Sequence, residues 1–342
     1  MKLFRSFIPL YLVTVSLSVS GQSAFDSVRF FKEEKPLTVT LSTDLGNLMS
    51  GKIKEDYQKA IFTCKLPDSS VLSEEIRLSA RGHMRRSICG MPPVKLSFRN
   101  PGSPRLASLN TLKLVNSCKS GDFNAQLLLK EYLIYKMYNL ITENSFRVRL
   151  LYVTYEDNKG KKKPYTQYAF FVENVDALAK RNKRKEGNNI KISSNDIDRE
   201  QMTLVDIFEY MIGNTDWSVP NNHNIKLLIS KKDSTLKPYA VPYDFDYAGL
   251  VNADYASPDP MMEIENVVQR KYRGFPRTMS ELQPVLKVYN QQKEKIYTLI
   301  RNFAPLDNRN KKEIISYLDD FYKTINSPKD VQYTFIDNAR SK

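Results

Sequence analysis

Gly213-Asn-Thr-Asp-Trp-Ser-Val-Pro-Asn-Asn-His-Asn224 is a polar, turn-rich stretch that leads into a short strand pattern at residues 225–229. After a polar turn, a second strand pattern at residues 239–243 runs into Pro242-Tyr-Asp-Phe-Asp246. Two such patterns joined by a short turn predict a β-hairpin. The hairpin would place the carboxylates and amides that precede its first strand beside the carboxylates that follow its second.

This arrangement has the order of a phosphoryl-transfer site. Magnesium prefers hard oxygen ligands and usually keeps several waters, so one or two carboxylates and phosphate oxygens complete its shell. Phosphoryl-transfer enzymes use an Asp, an Asn and a later Asp as base and metal ligands. Asp216 is therefore the candidate catalytic base and Asp244 the metal carboxylate, and Asp246 either adds a second metal contact or orients its neighbour. The alternative is that each residue only forms a turn, as Asp and Asn often do.

The amide ligand has more than one candidate. A spacing of five residues from the base selects Asn221, as in ordinary kinases. The position directly before the strand selects Asn224, and Asn222 lies between them. We prefer Asn224, because a ligand at the mouth of a strand is held more rigidly than one in mid-loop. His223 is interpreted as a loop residue.

The start of the chain has the pattern of an exported protein. Lys2 and Arg5 precede an apolar run at residues 7–19, and Val19-Ser-Gly21 supplies small residues for cleavage. This predicts a signal peptide over residues 1–21. No later stretch has the length of a transmembrane segment. We expect a secreted or periplasmic protein, or one associated with the cell envelope.

Composition narrows the classes of partner. The formal net charge of +14 suits phosphate substrates, acidic partners or anionic surfaces. Nucleic acid is not an expected partner, because no zinc-ligand spacing or recognition helix accompanies the charge. Only two histidines, His83 and His223, are present, which disfavours a histidine-rich zinc site or a cysteine–histidine enzyme. Of the three cysteines, Cys89 and Cys118 bracket two strand patterns and are expected to pair after export, leaving Cys64 reduced.

Residues 36–152 are mainly strand-like, with one embedded helix. The helix is predicted over residues 125–141 with Asp122 or Asn124 as its cap. It is apolar on almost every side, so it should be buried. Glu131 interrupts its apolar row, and a buried carboxylate is costly unless it is paired. Alternating patterns predict strands at residues 37–41, 76–80, 94–98 and 112–115, and further strands follow at residues 148–155 and 168–172.

The second half of the chain is mostly helical around the hairpin. A polar stretch at residues 180–194 begins with a basic run at residues 180–185, which is interpreted as a solvated loop. The helix that follows it should end at Gly213, a natural C-terminal breaker. Further helices are predicted near residues 279–302 and 311–325. With a hinge near residue 174, the layout is α+β and bilobal: residues 22–174 form one lobe and residues 175–342 the other.

Together these residues resemble the CotH family of spore-coat-type atypical protein kinases. The resemblance implies a bilobal protein-kinase-like fold, with a strand-rich N-lobe containing one buried helix and a mostly helical C-lobe carrying the hairpin. It also implies ATP, Mg²⁺ or Mn²⁺, and phosphoryl transfer to a protein substrate. The motifs that carry it are Arg81-Gly82, Pro93-Val-Lys95, the helix with Glu131, Phe171-Val-Glu173, Asp216-Trp217, Asn224 and Asp244-Phe-Asp246.

The resemblance also assigns the nucleotide side of the site to the N-terminal lobe. Arg81 would lie near the phosphates, and Glu173 at the hinge would touch the adenine or ribose. A lysine must reach the phosphates and pair with Glu131. Lys95 matches the family pattern and is preferred, whereas Lys113 lies on the strand directly before the helix, as kinase topology requires.

Two other functions fit the same residues. The chain could be a binding protein of the same fold, an envelope or adhesion component that keeps the metal cluster without catalysis. It could also transfer a different group, by nucleotidylation or glutamylation, because a fold does not determine its chemistry.

Overall fold

A computed structural model describes residues 30–32, 34–50, 56–65, 70–82, 84–99, 106–188 and 190–340. The predicted signal peptide, residues 1–21, and His83 lie outside these ranges. None of the helices within them is long and apolar enough to cross a membrane.

The N-terminal strand patterns form a barrel. Its strands are β1 Leu37–Thr43, β2 Gln58–Lys65, β3 Val71–Ala80, β4 Val94–Ser97, β5 Thr111–Asn116, β6 Val148–Asp157 and β7 Tyr165–Val172. They close in the order β1-β2-β3-β4-β5-β7-β6, and β1 pairs with β6 in parallel, with Leu37 opposite Leu151. Alternation places the apolar side chains inside, where Phe62 packs edge-to-face on Phe98 at 5.4 Å. Each fully buried side chain of this size contributes about 1.5–3 kcal/mol through removal of apolar surface from water.

A separate sheet contains the predicted hairpin. It consists of β8 Arg184–Glu186, β9 Ile225–Ser230 and β10 Tyr239–Pro242. The order is β10-β9-β8, and both pairings are antiparallel, so the hairpin prediction is confirmed. The third strand, β8, lies in the stretch that the sequence indicated to be a solvated loop, and that interpretation is wrong. A basic strand of three residues has no apolar alternation from which it could be recognised.

Eight helices lie among the described residues. They are α1 Leu45–Ser50, α2 Met84–Ile88, α3 Asp122–Ile141, α4 Val175–Arg181, α5 Arg199–Ile212, α6 Met279–Asn302, α7 Asn308–Ile325 and α8 Pro328–Gln332. The cap prediction for α3 is wrong, because Gly121 occupies the cap position and no side chain caps the helix. The end of α5 at Gly213 is confirmed: its φ is +68°, and a Cβ there would lie 2.0 Å from the Tyr317 hydroxyl.

The expected bilobal kinase-like fold is wrong. The N-terminal strands form a closed seven-stranded mixed barrel, and the second sheet has three strands. Helix α3 is also not the buried helix of a separate strand-rich lobe, because it shares one core with the C-terminal helices. Within that core, Tyr138 stacks on Phe208 of α5 at 4.1 Å, and Tyr132 stacks on Phe303 at 5.6 Å. Alternation reports which face of a strand is buried, but it does not report which distant strand is its neighbour.

The predicted disulfide is confirmed. Cys89, which directly follows α2, is bonded to Cys118, which lies between β5 and α3, with a Cα–Cα distance of 4.5 Å. Cys64 is buried in the barrel core and lies outside this bond. The bond therefore fastens α2 to the chain that enters α3, close to the site described next.

Candidate functional site

The hairpin mouth consists of Asn224, directly before β9, and Tyr243 and Asp244, directly after β10. The backbone N–H of Tyr243 donates to the Asn224 carbonyl at 3.0 Å, which continues the β9–β10 ladder by one residue. Asn224 has φ +52° and Asp244 has φ +67°. A non-glycine residue in this left-handed region costs of order 1–3 kcal/mol, so the surroundings must hold it there. For Asp244, part of this support is the Tyr135 hydroxyl of α3, which accepts from the Asp244 N–H at 2.8 Å.

The loop of residues 214–218, which we call the Asp216 loop, joins α5 to this mouth. Asn214 accepts from the Asp216 N–H at 3.0 Å, which forms a tight turn just after Gly213. The Asn224 amide nitrogen donates to the Asp216 carbonyl at 2.7 Å and to Asp216 Oδ2 at 3.0 Å. His223 Nε2 lies 2.8 Å from Asp216 Oδ1. The structure thus brings Asp216 and Asn224 together, and it adds His223, which sequence reasoning treated as a simple loop residue.

The other two candidate amides lie elsewhere. The Asn222 side chain donates to the Ile190 carbonyl at 3.1 Å. Asn221 is exposed, and its backbone N–H is 3.4 Å from Ser218 Oγ. Of the three amides, Asn224 alone contacts Asp216 in the described structure, which agrees with the preference for the residue at the strand mouth.

The mouth offers oxygen atoms that suit a hard cation. Both hydrogen bonds of the Asn224 side chain use its nitrogen, so its oxygen faces the other way, and no described residue donates to it. The half-buried Asp244 carboxylate likewise has no hydrogen bond or ion pair with the described residues. No three His, Cys, Asp or Glu side chains in the described part of the chain are grouped to hold a metal by themselves. Asn224 and Asp244 therefore fit a cation that takes its remaining oxygens from phosphate and water.

Asp246 belongs to a buried polar cluster behind the mouth. It accepts from the Tyr255 hydroxyl at 3.0 Å, and its carboxylate is 3.7 Å from Arg85 of α2. Burial and the charge of Asp244 raise the pKa of Asp246 to about 6, against the lowering effect of Arg85. A carboxylate paired in this way supports the site from behind, and its role as a metal contact stays a prediction.

Glu131 has a different partner from the one predicted. Its buried carboxylate lies 3.6 Å from Arg85, so the expected lysine pair is wrong. Burial raises the pKa of Glu131, and the Arg85 charge acts in the opposite direction. Arg85 also donates to the Asn116 carbonyl. Nothing in the local pattern around residue 85 distinguishes this arginine from a surface residue, and sequence reasoning therefore missed it.

The two candidate lysines lie opposite each other on β4 and β5 but turn in different directions. Lys113 Nζ lies over the Tyr243 ring, 4.5 Å from its centroid, whereas Lys95 Nζ lies 5.0 Å from the centroid of Tyr57. Burial and the charge of Arg81 lower the pKa of Lys113 to about 8, and Asp244 opposes them. The contact with the Tyr243 ring therefore connects Lys113 to the hairpin mouth, contrary to the preference for Lys95. Arg81 acts on Lys113 through its charge.

Glu173 does not face the site. Its carboxylate is buried and accepts from Arg181, with Nη2 at 2.9 Å and Nε at 3.0 Å. The backbone N–H of Arg147 donates to the same carboxylate at 3.1 Å. These bonds give Glu173 a structural role and argue against a contact of this side chain with adenine or ribose, which stays a prediction.

A wide cleft opens on the other side of Asp216. It has a volume of about 1110 Å³ and is lined by both Asp216 and His223. The aromatic rings of Trp217 and Tyr247 contribute to its wall, as do residues 257–262. Asp216 consequently lies between the oxygen atoms of the hairpin mouth and an open space that can take a second molecule.

No model of a known protein family matches this chain, and a search of curated proteins finds no relative. The resemblance to CotH proteins therefore rests on the motifs quoted above.

Proposed function

We propose that this chain is an exported, metal-dependent transferase that moves the terminal phosphoryl group of ATP to a protein acceptor. One observation carries the proposal: at the hairpin mouth no described residue bonds to the Asn224 amide oxygen or to the Asp244 carboxylate, and the Asn224 amide nitrogen donates to the Asp216 carboxylate. The order of these residues, which suggested CotH kinases from the sequence, supports the same chemistry.

The residues divide into two groups around the transferred phosphate. Asn224 and Asp244 would hold Mg²⁺ or Mn²⁺, with the Lys113 ammonium and the nearby Arg81 charge on the phosphate side. When bound with ATP, the metal neutralises charge on the phosphate oxygens. Asp216 lines the cleft, so it would orient the acceptor hydroxyl and take its proton while the hydroxyl oxygen bonds to the terminal phosphorus. The bridging P–O bond of ATP would break in the same step, and ADP would leave. His223, 2.8 Å from Asp216 Oδ1, helps to hold that carboxylate in place.

The size of the cleft favours a polypeptide acceptor. Pockets for drug-sized ligands have volumes of roughly 300–1,000 Å³ and enclose most of the ligand. The cleft beside Asp216 has a volume of about 1110 Å³ and is only partly enclosed. A segment of protein that presents a hydroxyl side chain fits this space better than a small metabolite does.

One observation favours the alternative of a binding protein without catalysis. Arg85 lies 3.6 Å from Glu131 and 3.7 Å from Asp246, and so pairs with both buried carboxylates behind the mouth. In an ordinary phosphotransfer site, the glutamate at the position of Glu131 would pair with a lysine, and the carboxylate at the position of Asp246 would contact the metal. In this alternative the chain binds nucleotide and metal, and no group is transferred.

The experiment combines calorimetry with mass spectrometry. ATP is titrated with Mg²⁺ or Mn²⁺ into the wild type and Asp244→Ala, with Asp233→Ala as the matched control. Asp233 lies in the turn at the far end of the same hairpin, and among the described residues its carboxylate accepts hydrogen bonds from Thr235 alone. We expect Asp244→Ala to lose metal-dependent affinity and the control to keep it. Equal affinity in all three folded proteins would contradict the proposed site.

Mass spectrometry with candidate acceptors then separates the remaining functions. An added phosphate supports the proposal, whereas an added nucleotide or glutamate indicates a different transfer. Metal-dependent ATP binding with no change in acceptor mass supports the binding protein.

A further inference from the structure

The two residues on either side of Asp216 are held by one side chain. Arg273, in the segment before α6, donates from Nη1 to the carbonyls of Thr215 and Trp217, each at 2.5 Å. Its guanidinium carbon also lies 5.0 Å from the centroid of the Trp217 ring. These contacts fix the backbone on both sides of Asp216 and leave the carboxylate free to face His223 and Asn224.

Two buried acids of α5 lie beneath this contact. Asp206 and Glu209 are almost fully buried, and both interact electrostatically with Arg273. Asp206 also lies 3.5 Å from Arg277. Both oxygens of Glu209 accept no hydrogen bond of normal geometry. Ionising a buried acid that lacks full hydrogen bonding is expensive, and a nearby positive charge lowers that cost. Arg273 supplies positive charge on the loop side.

We propose that Arg273 is the positioning residue of the Asp216 loop, which it clamps through the Thr215 and Trp217 carbonyls so that Asp216 is held toward the cleft. The clamp itself follows from these contacts, and its effect on transfer rests on the proposed function.

Arginine is suited to this role in a way that lysine is not. A guanidinium is planar, so it can donate to two carbonyls while it stacks on an aromatic ring, whereas an ammonium is a compact, strongly hydrated charge on a flexible stem. Arg273→Lys keeps the positive charge beside the buried acids but loses the planar contact. A displacement of about 1 Å in a reacting group can lower a rate on the order of a hundredfold.

Arg270 provides a closely matched control. It is half-buried, as Arg273 is, and donates to the Tyr210 carbonyl at 3.1 Å and to the Met211 carbonyl at 3.2 Å. It also stacks on the Tyr317 ring at 3.6 Å. Arg270 thus clamps backbone carbonyls at the end of α5 with the same chemistry, but it makes no contact with the Asp216 loop in the described structure.

The chain contains one tryptophan, Trp217, so its fluorescence reports on the loop itself. Trp217 is buried, with 5% of its surface exposed, so its emission should be shielded from acrylamide. Emission, quenching and unfolding are measured for wild type, Arg273→Lys, Arg273→Gln and Arg270→Lys. Arg273→Gln tests the same contacts if Arg273→Lys does not fold. Transfer rate and ATP affinity are measured on the same samples.

We expect both Arg273 variants to shift Trp217 emission to longer wavelength and to raise its quenching, while Arg270→Lys stays at the wild-type values. The transfer rate at saturating ATP should fall on the order of a hundredfold in the Arg273 variants, with ATP affinity unchanged. The clamp would be refuted if Trp217 emission and quenching in the Arg273 variants matched the wild type. It would also be refuted if Arg270→Lys changed them as much as the Arg273 variants do. Trp217 fluorescence could change in the Arg273 variants alone, in a protein whose wild type transfers no phosphoryl group. That result would support the clamp and count only against the proposed function.

Discussion

Replacing Glu209 by Gln should remove a large pH dependence from the stability of this protein. Burial raises the pKa of Glu209 from 4.5 to about 8, while the Asn214 amide and the Arg273 charge lower it and the charges of Asp206 and Asp216 raise it. The folded protein therefore binds the proton more tightly than the unfolded chain. This contribution to stability is fully present below pH 4.5 and is lost as the pH rises through 8.

The size of the effect follows from the two pKa values. Each unit of difference is worth about 1.4 kcal/mol, so ionising Glu209 in the folded state costs on the order of 5 kcal/mol across this window. Gln has nearly the shape of the protonated acid and does not titrate. At pH 5 the variant should have nearly the same free energy of unfolding as wild type, and at pH 8.5 it should be the more stable protein.

The assay is urea unfolding, followed by Trp217 fluorescence and circular dichroism, at intervals between pH 5 and 8.5. Glu200→Gln is the matched control, because Glu200 lies in the first turn of the same helix and is exposed. The difference between wild type and Glu209→Gln should grow with pH, and that between wild type and Glu200→Gln should stay constant. Parallel pH profiles for wild type and Glu209→Gln would refute the reasoning.

Three further predictions concern the disulfide, the proposed base and the buried arginine. Replacing Cys89 and Cys118 by Ala should lower the free energy of unfolding by about 3.6 kcal/mol, in the chain-entropy model for a bond between positions 29 residues apart. A urea midpoint of the wild type that reductant does not change would contradict this prediction. Asp216→Asn should lower single-turnover transfer by about a hundredfold or more while ATP affinity is kept, and near wild-type transfer would leave Asp216 as a turn residue. Arg85→Met should lower the free energy of unfolding, measured in urea, by about 3–5 kcal/mol, because it leaves two buried carboxylates without their opposite charge. Adding Glu131→Gln should recover part of that loss, and no recovery would argue against the ion pair.

The parts of the fold that sequence predicted correctly depend on short-range signals. The apolar alternation of β1 and β6 and the helical spacing of α5 are visible within one window of residues. The end of α5 follows from a single glycine, since Gly213 adopts a left-handed φ that other residues avoid. The contact between Asp216 and Asn224 was also predictable, because eight residues and the mouth of one hairpin separate them.

The parts that sequence missed depend on residues far apart in the chain. Arg85 reaches Glu131, 46 positions away, and Asp246, 161 positions away, by the numbering of the ion pairs. An arginine near a turn has the same local pattern whether it faces solvent or a buried acid. The same reason explains Arg273, whose contacts with Thr215 and Trp217 span 58 and 56 positions.

Sequence by itself therefore determined six of the seven barrel strands, the four long helices α3, α5, α6 and α7, the hairpin, the disulfide pair and the order of the polar residues at the hairpin mouth. Tertiary structure alone decided that the strands close into a barrel, that α3 joins the C-terminal core, and which arginines contact Glu131, Glu173 and the backbone on either side of Asp216. The physical reason is that local periodicity reports which face of an element is buried. The partner of that face is selected by packing and charge compensation over the whole chain, which no single window contains.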